Sequence, residues 1–202
     1  MKNLAILISG RGSNLEAIAR AVIDGAIRAR ITLVASNRAD APGLTRAREM
    51  ALPARCIPSA NKPRAEFERD LRAALEEARV DYLCLAGFMR VLSPEFVKAF
   101  PRRILNIHPS LLPAFPGVDA QRQALEYGVK FTGCTVHFVD EGVDSGPVVL
   151  QAAVPVRDDD TVESLSARIL AEEHRIYPEA VRLVAEERVQ LQGRRVVLKE
   201  NF

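Results

Sequence analysis

Leu4-Ala5-Ile6-Leu7-Ile8-Ser9-Gly10-Arg11-Gly12-Ser13-Asn14-Leu15 stands near the start of the chain, and its reading decides the fold class. Leu4 to Ile8 is an unbroken apolar run of strand length, as expected for a strand buried on both faces. Two glycines then interrupt it, and from Asn14 to Asp24 the apolar residues recur at helical spacing, so the segment reads as strand, tight turn, helix. The rhythm continues with a strand from Ile31 to Ala35, a helix from Gly43 to Met50, a longer helix from Glu66 to Ala78 and a strand from Asp81 to Ala86. Pro58 to Pro63 forms a polar loop, with Pro63 suited to a first helical position. Alternation of this kind builds a parallel sheet with helices on both faces.

Farther along, Ile104 to His108 is a strand end leading into Pro109 to Gly117, where Pro109, Pro113 and Pro116 remove donors and prevent regular structure. Thr132 to Val139 and Val148 to Val156 alternate as strands around the Gly146-Pro147 break, an antiparallel pair that makes the sheet mixed. Thr161, Glu163 and Ser164 open a long helix to about Glu187, with a kink or boundary expected at Tyr177-Pro178. Val189 to Leu198 reads as a hairpin around Gln192-Gly193. The fold class is therefore α/β, with a Rossmann-like central sheet that is mixed, mainly parallel and flanked by helices.

The chain has 202 residues, a net charge of +2 and 27% charged residues. That length suits one domain, and the balanced charge offers no broad electrostatic reason to bind nucleic acid or membrane. Cys56, Cys84 and Cys134 are odd in number, lack Cys-x-x-Cys spacing and lie in apolar stretches, so buried reduced thiols are expected and no metal site. The short apolar run at Leu4 is not a secretory core, and no stretch reaches membrane-spanning length. A cytoplasmic protein, monomeric or homodimeric, is the expectation.

Three side chains carry chemistry. Asn106 and His108 are two apart on one strand, so they point the same way and can converge on one carbonyl. Asp144 lies in Asp140-Glu141-Gly142-Val143-Asp144-Ser145-Gly146, where Gly142 and Gly146 allow a tight loop that turns a carboxylate inward. An amide for a developing oxyanion, an imidazole for proton exchange and a carboxylate favouring imidazolium make an acyl-transfer set without a Ser or Cys nucleophile. The competing reading is a structural histidine beside a solvated acidic turn.

At the first turn, glycines let backbone amides approach a phosphate at a helix N-terminus. A dinucleotide fingerprint would place a small residue where Leu15 stands and an acid where Ser36-Asn37 stands, so a monophosphate fits better than NAD.

With these residues in view, the chain resembles the folate-dependent formyltransferases, and among them the branch that acts on glycinamide ribonucleotide. The resemblance runs nearly end to end. It rests on Ile8-Ser9-Gly10-Arg11-Gly12-Ser13-Asn14-Leu15, Ser36-Asn37-Arg38-Ala39-Asp40-Ala41, Leu85-Ala86-Gly87-Phe88-Met89-Arg90-Val91-Leu92-Ser93, Asn106-Ile107-His108-Pro109-Ser110-Leu111-Leu112-Pro113 and Gly133-Cys134-Thr135-Val136-His137-Phe138-Val139. It implies that 10-formyltetrahydrofolate is the co-substrate, that Asn106, His108 and Asp144 are catalytic, and that Gly12, Ser13, Asn14 and Glu173 hold the ribonucleotide. It further implies that Arg64, Met89, Arg90, Val91, Leu92, Asn106, Val139, Asp140 and Asp144 line the folate site. For Glu173 a solvated helix face competes, and for Arg64 a surface arginine does. Residues 1–100 would form the phosphate-binding half and 101–202 the folate-binding half of a single domain.

His137 is read as structural, with a place in the cleft lining as the alternative, and Leu112-Pro113 is expected to be cis. The loop Val118-Asp119-Ala120-Gln121 departs from relatives that carry histidines there. Rival expectations are a formyltetrahydrofolate deformylase, a tRNA formyltransferase and a non-catalytic nucleotide-binding module. The first would bring an additional regulatory domain and the second a nucleic-acid domain.

Overall fold

The computed structural model describes residues 1–199. Strands β1 (Lys2–Ile8), β2 (Ala29–Ser36), β3 (Ala54–Cys56), β4 (Tyr82–Leu85), β5 (Ile104–His108), β6 (Phe131–Phe138) and β7 (Val148–Pro155) form one sheet in the order β3-β2-β1-β4-β5-β6-β7. The first five run parallel, and β6 pairs antiparallel with both β5 and β7. The sheet is thus mixed and mainly parallel. Its order reverses beside β1, the kind of switch point at which α/β sheets open a crevice beyond their carboxyl ends. Leu4 to Ile8 is fully buried, as its unbroken apolar run requires.

Helices α1 (Ser13–Ile23), α2 (Pro42–Glu49), α3 (Arg64–Glu77), α4 (Pro94–Ala99), α5 (Ala120–Tyr127) and α6 (Val162–Ala185) cover the sheet. Two apolar cores result. One packs α1 and α6 on β1, β5 and β6 through Ile18, Ile169 and Tyr177; the other packs α3 and α4 through Phe67, Leu71 and Phe96. A separate two-stranded sheet, β8 (Val189–Gln192) with β9 (Arg195–Leu198), turns at Gly193, whose φ of 62° suits a residue without Cβ.

Several local details differ from expectation. Tyr177-Pro178 makes no boundary, for α6 runs from Val162 to Ala185 with Pro178 inside it. Proline forfeits one helical hydrogen bond, but Tyr177 is fully buried and its hydroxyl donates to the Leu85 and Leu105 carbonyls, which pins the helix to the sheet there. At its start, Thr161 and Ser164 form a reciprocal capping box. The short β3 and the helix α5 were not anticipated: β3 spans three residues, and α5 is entered through Asp119 with a φ of 56° and closed by Gly128. Cys84 and Cys134 are buried, and burial pushes both thiols up to about 12, but Cys56 on β3 is only half-buried. No helix among the described residues is long and apolar enough to cross a membrane.

Candidate active site

The carboxyl ends of β1, β4 and β5 open into a cleft of about 580 Å3, walled on its other side by the loop after β6. On β5, Asn106 and His108 project into it together. Pairing of β5 with β6 is antiparallel and sets Asn106 opposite His137, so a second imidazole arrives from the neighbouring strand. Asp144 comes back over both from the loop between β6 and β7, with a φ of 49°. That loop returns tightly because a Cβ on Gly146 would lie 1.8 Å from the Phe138 carbonyl oxygen, so only glycine fits.

His108 is almost wholly buried. Its Nδ1 lies 3.2 Å from Asp144 Oδ2, and its Nε2 donates to the Phe115 carbonyl at 2.8 Å. A carbonyl can only accept, so Nε2 carries a proton, and the contact of Nδ1 with the carboxylate is attractive when Nδ1 carries one too. Both contacts are therefore satisfied by imidazolium. On its other side Asp144 accepts from the Gly117 amide at 2.8 Å and from Asn106 Nδ2 at 3.4 Å, with His137 Nε2 at 3.6 Å. Burial pushes the Asp144 carboxyl up, but His137, the Gly117 amide and His108 outweigh it and leave the group below the usual carboxylate range. His137 donates from Nδ1 to the Phe138 carbonyl at 2.9 Å, which turns Nε2 toward Asn106 Nδ2 at 3.2 Å. The loop after His108 is held by Thr135, which donates to the Ser110 carbonyl at 2.7 Å and accepts from the Leu112 amide at 3.1 Å. Leu112-Pro113 is cis.

The other end of the cleft is set by the glycine turn. Gly12 has a φ of 74°, and a Cβ there would lie 2.9 Å from Gly43 Cα, so the position is closed to other residues on two counts. Gly12 is also the N-cap of α1 and supplies no side-chain cap, leaving the first amides of the helix for a ligand. Asn14 lines the cleft and donates through Nδ2 to Glu173 Oε2 of α6 at 2.7 Å. Glu173 is not on a solvated face: it is 8% exposed, and burial raises its carboxyl above the usual range against the opposing Asn14 contact. Asn14 Oδ1 is buried without a partner.

Of the remaining sequence candidates, Met89, Arg90, Val91, Leu92, Val139 and Asp140 all line the cleft. Gly12 and Ser13 are not among the lining residues and directly precede Asn14, which is. Arg64 does not reach it and is exposed at the start of α3. Arg90 packs over the Phe67 ring, 5.6 Å from its centroid. Two things were missed. His137 belongs to the polar network, and the signal was available, since antiparallel pairing of the two strands brings it opposite Asn106. Val118, Asp119 and Gln121 also line the cleft, and no periodicity marked them.

The chain matches the formyl transferase family over residues 2–181. The chain belongs to that family. It is 45% identical over 190 residues to the phosphoribosylglycinamide formyltransferase of Escherichia coli, covering 94% of this chain and 90% of that protein, and so falls in the phosphoribosylglycinamide formyltransferase branch. It is also 50% identical over 189 residues, 93% of this chain, to the human trifunctional purine biosynthetic protein adenosine-3, of which it spans only 19%. The crystal structure of glycinamide ribonucleotide transformylase 1 from Symbiobacterium toebii superposes with a TM-score of 0.96 at 56% identity, over 99% of this chain and 95% of that one. A formyltetrahydrofolate deformylase from Pseudomonas syringae pv. tomato shares the fold, with a TM-score of 0.92 over 98% of this chain and 66% of that one, but at 24% identity.

Proposed function

We propose that the chain transfers the formyl group of 10-formyltetrahydrofolate to the amine of glycinamide ribonucleotide, a step of de novo purine biosynthesis. The observation that carries this reading is the convergence of Asn106, His108 and Asp144 on one cleft whose opposite end is a helix N-terminus without a side-chain cap. Gly12, Ser13 and Asn14 receive the ribonucleotide phosphate, and Glu173 meets its glycinamide end. The segments Met89 to Leu92 and Val139 to Asp144 flank the folate, whose ring lies against their apolar side chains. Arg64 is left without a role, being outside the cleft.

In this mechanism the amine attacks the formyl carbon, a carbon–nitrogen bond forms, and the carbonyl electrons move onto oxygen. The Asn106 amide and the His108 Nδ1 proton, the latter shared with Asp144 in the free site, meet that oxyanion as it forms, each contributing about 3 kcal/mol of transition-state stabilisation. Asp144 holds the imidazolium in place. Collapse of the adduct breaks the bond to the folate nitrogen, which takes up the proton lost by the amine, carried by a water in the cleft. No residue becomes acylated. The two halves interlock on this reading, because Met89 to Leu92 of the first serve the folate and Glu173 of the second serves the ribonucleotide. The three free thiols fit a cytoplasmic setting.

Incubation with 10-formyltetrahydrofolate, with and without glycinamide ribonucleotide, tests the proposal. Formylated ribonucleotide should appear in stoichiometric step with tetrahydrofolate and only when both substrates are present. Loss of formyl groups without the ribonucleotide would make the chain a deformylase, and no reaction in either case would make it a binding module.

A further inference from the structure

Ser9 follows the last residue of β1 and immediately precedes the glycine turn. Its side chain is 5% exposed, yet its hydroxyl faces polar groups from two other segments. It accepts from the Met89 amide at 2.8 Å and donates to Asn37 Oδ1 at 2.6 Å. Asn37, just beyond β2, donates in turn from Nδ2 to Ser59 Oγ at 3.0 Å. Backbone bonds run alongside: the Ser9 amide donates to the Gly87 carbonyl at 3.1 Å, and the Ser59 amide donates to the Asn37 carbonyl at 3.2 Å. A hydroxyl has one proton to give, so an acceptor at Asn37 orients it and leaves its lone pairs for Met89. The order of the contacts is thereby fixed.

Within the segment held in this way, Phe88 stacks on Phe67 with ring centroids 6.3 Å apart and Arg90 lies over the same ring, and Met89 between them is tied through its backbone. Gly87 to Val91 belongs to no helix or strand, and the side chains of Met89 and Val91 are 70% and 68% exposed. Its far end is tied by Glu68, which accepts from the Ser93 amide at 2.7 Å and from the Ser93 hydroxyl at 2.5 Å. That tie joins α3 to the start of α4 at the residue after Leu92 and does not reach the glycine turn. Its near end is tied by Ser9, and the residues directly after Ser9 are the turn that presents amides at the other end of the cleft. One buried hydroxyl therefore connects the two segments that receive the two substrates.

The geometry points to Ser9 as a positioning residue that couples binding of the ribonucleotide to binding of the folate, with Asn37 orienting its hydroxyl. This rests on the function proposed above. A ligand that orders the Gly10–Ser13 turn also orders Ser9 and, through it, Met89, so the second ligand finds its segment already placed and loses less entropy on binding. The effect is reciprocal, each ligand tightening the other by the same factor.

The test measures the dissociation constant of tetrahydrofolate by titration calorimetry, with and without saturating glycinamide ribonucleotide, in the intact wild-type chain and in Ser9→Ala. Wild type should bind tetrahydrofolate more tightly in the presence of the ribonucleotide. In Ser9→Ala that ratio should fall to about 1, and the folate KM should rise about fivefold, the worth of one hydrogen bond, with kcat within about twofold. Ser9→Thr keeps the hydroxyl and should recover most of the coupling. Asn37→Ala leaves Ser9 in place with its proton free, and should lose part of the coupling in the same direction. It serves if Ser9→Ala does not fold. Glu68→Gln, which perturbs only the far anchor, should lower Tm and leave the ratio unchanged. Absence of coupling in wild type, or coupling within twofold of wild type in both Ser9→Ala and Asn37→Ala, overturns the proposal. Wild type that turns over while these variants keep their coupling defeats only this inference, whereas wild type without turnover defeats the functional reading itself.

Discussion

The two ends of the cleft each hold a carboxyl largely withdrawn from solvent, and the two are shifted in opposite directions. Asp144 has a backbone amide and two imidazoles around it, and their combined effect holds it below the ordinary range against its burial. Glu173 has one neutral donor, Asn14, and burial wins. The difference teaches that depth alone does not decide the charge of a carboxylate here; the number and charge of the donors aimed at it do. One end thus favours the charged form of its carboxyl, and the other disfavours it.

The largest effect should come from breaking the charged end. His108→Ala, or Asp144→Asn, should lower kcat by about two to four orders of magnitude while both substrates still bind, because the lost interactions belong to the transition state. Steady-state kinetics with direct binding measurements checks this, and near-normal turnover in either variant would remove the residue from the mechanism. Gly12→Val acts at the opposite end. It should raise the ribonucleotide KM by about tenfold or more with a much smaller change for folate, since the new side chain meets Gly43 and a φ of 74° suits valine poorly. Equal changes in both constants would reveal a folding defect instead.

The smallest effects concern stability. A carboxyl whose folded pKa is raised, as for Glu173, contributes stability that is full below its unfolded pKa of about 4.3 and is lost as pH rises through the folded value. At pH 7 the buried carboxyl is therefore a net cost relative to its contribution at low pH. Glu173→Gln removes that cost and supplies an amide donor beside the unpartnered Asn14 Oδ1. Tm at pH 7 should rise by about 2 °C, and the gain over wild type should vanish below pH 4. Asp144 has the opposite sign: its contribution is present above its unfolded pKa of about 3.9 and is lost as pH falls through the lower folded value. Thermal melts of wild type, Glu173→Gln and Asp144→Asn across pH 3 to 8 separate the two, and a Glu173→Gln Tm below wild type at pH 7 would show that the Asn14 contact outweighs burial.

What the chain reveals unfolded is whatever depends on neighbours in sequence. Leu4 to Ile8 must be buried on both faces because it offers no polar alternate face, and Gly12 marks the turn because its positive φ and its approach to Gly43 exclude a Cβ. Asn106 and His108 share a side because strands alternate. All of this was legible, as was the return of Asp144 between two glycines. Contacts between distant residues were not. Glu173 meets Asn14 across 159 positions because α6 packs on α1; His137 reaches Asn106 because β6 pairs with β5 in one antiparallel register; and Ser9 finds Met89 because β4 lies beside β1. Arg64, assigned to the folate site by resemblance, shows the same limit from the other side, since it lies at the exposed start of α3 and outside the cleft lining. Local propensity acts over a few residues, whereas donors, burial and charge are assigned by whichever strand or helix arrives alongside. The backbone elements could be read from the sequence, and the state of the two carboxylates was decided only when the sheet closed around them.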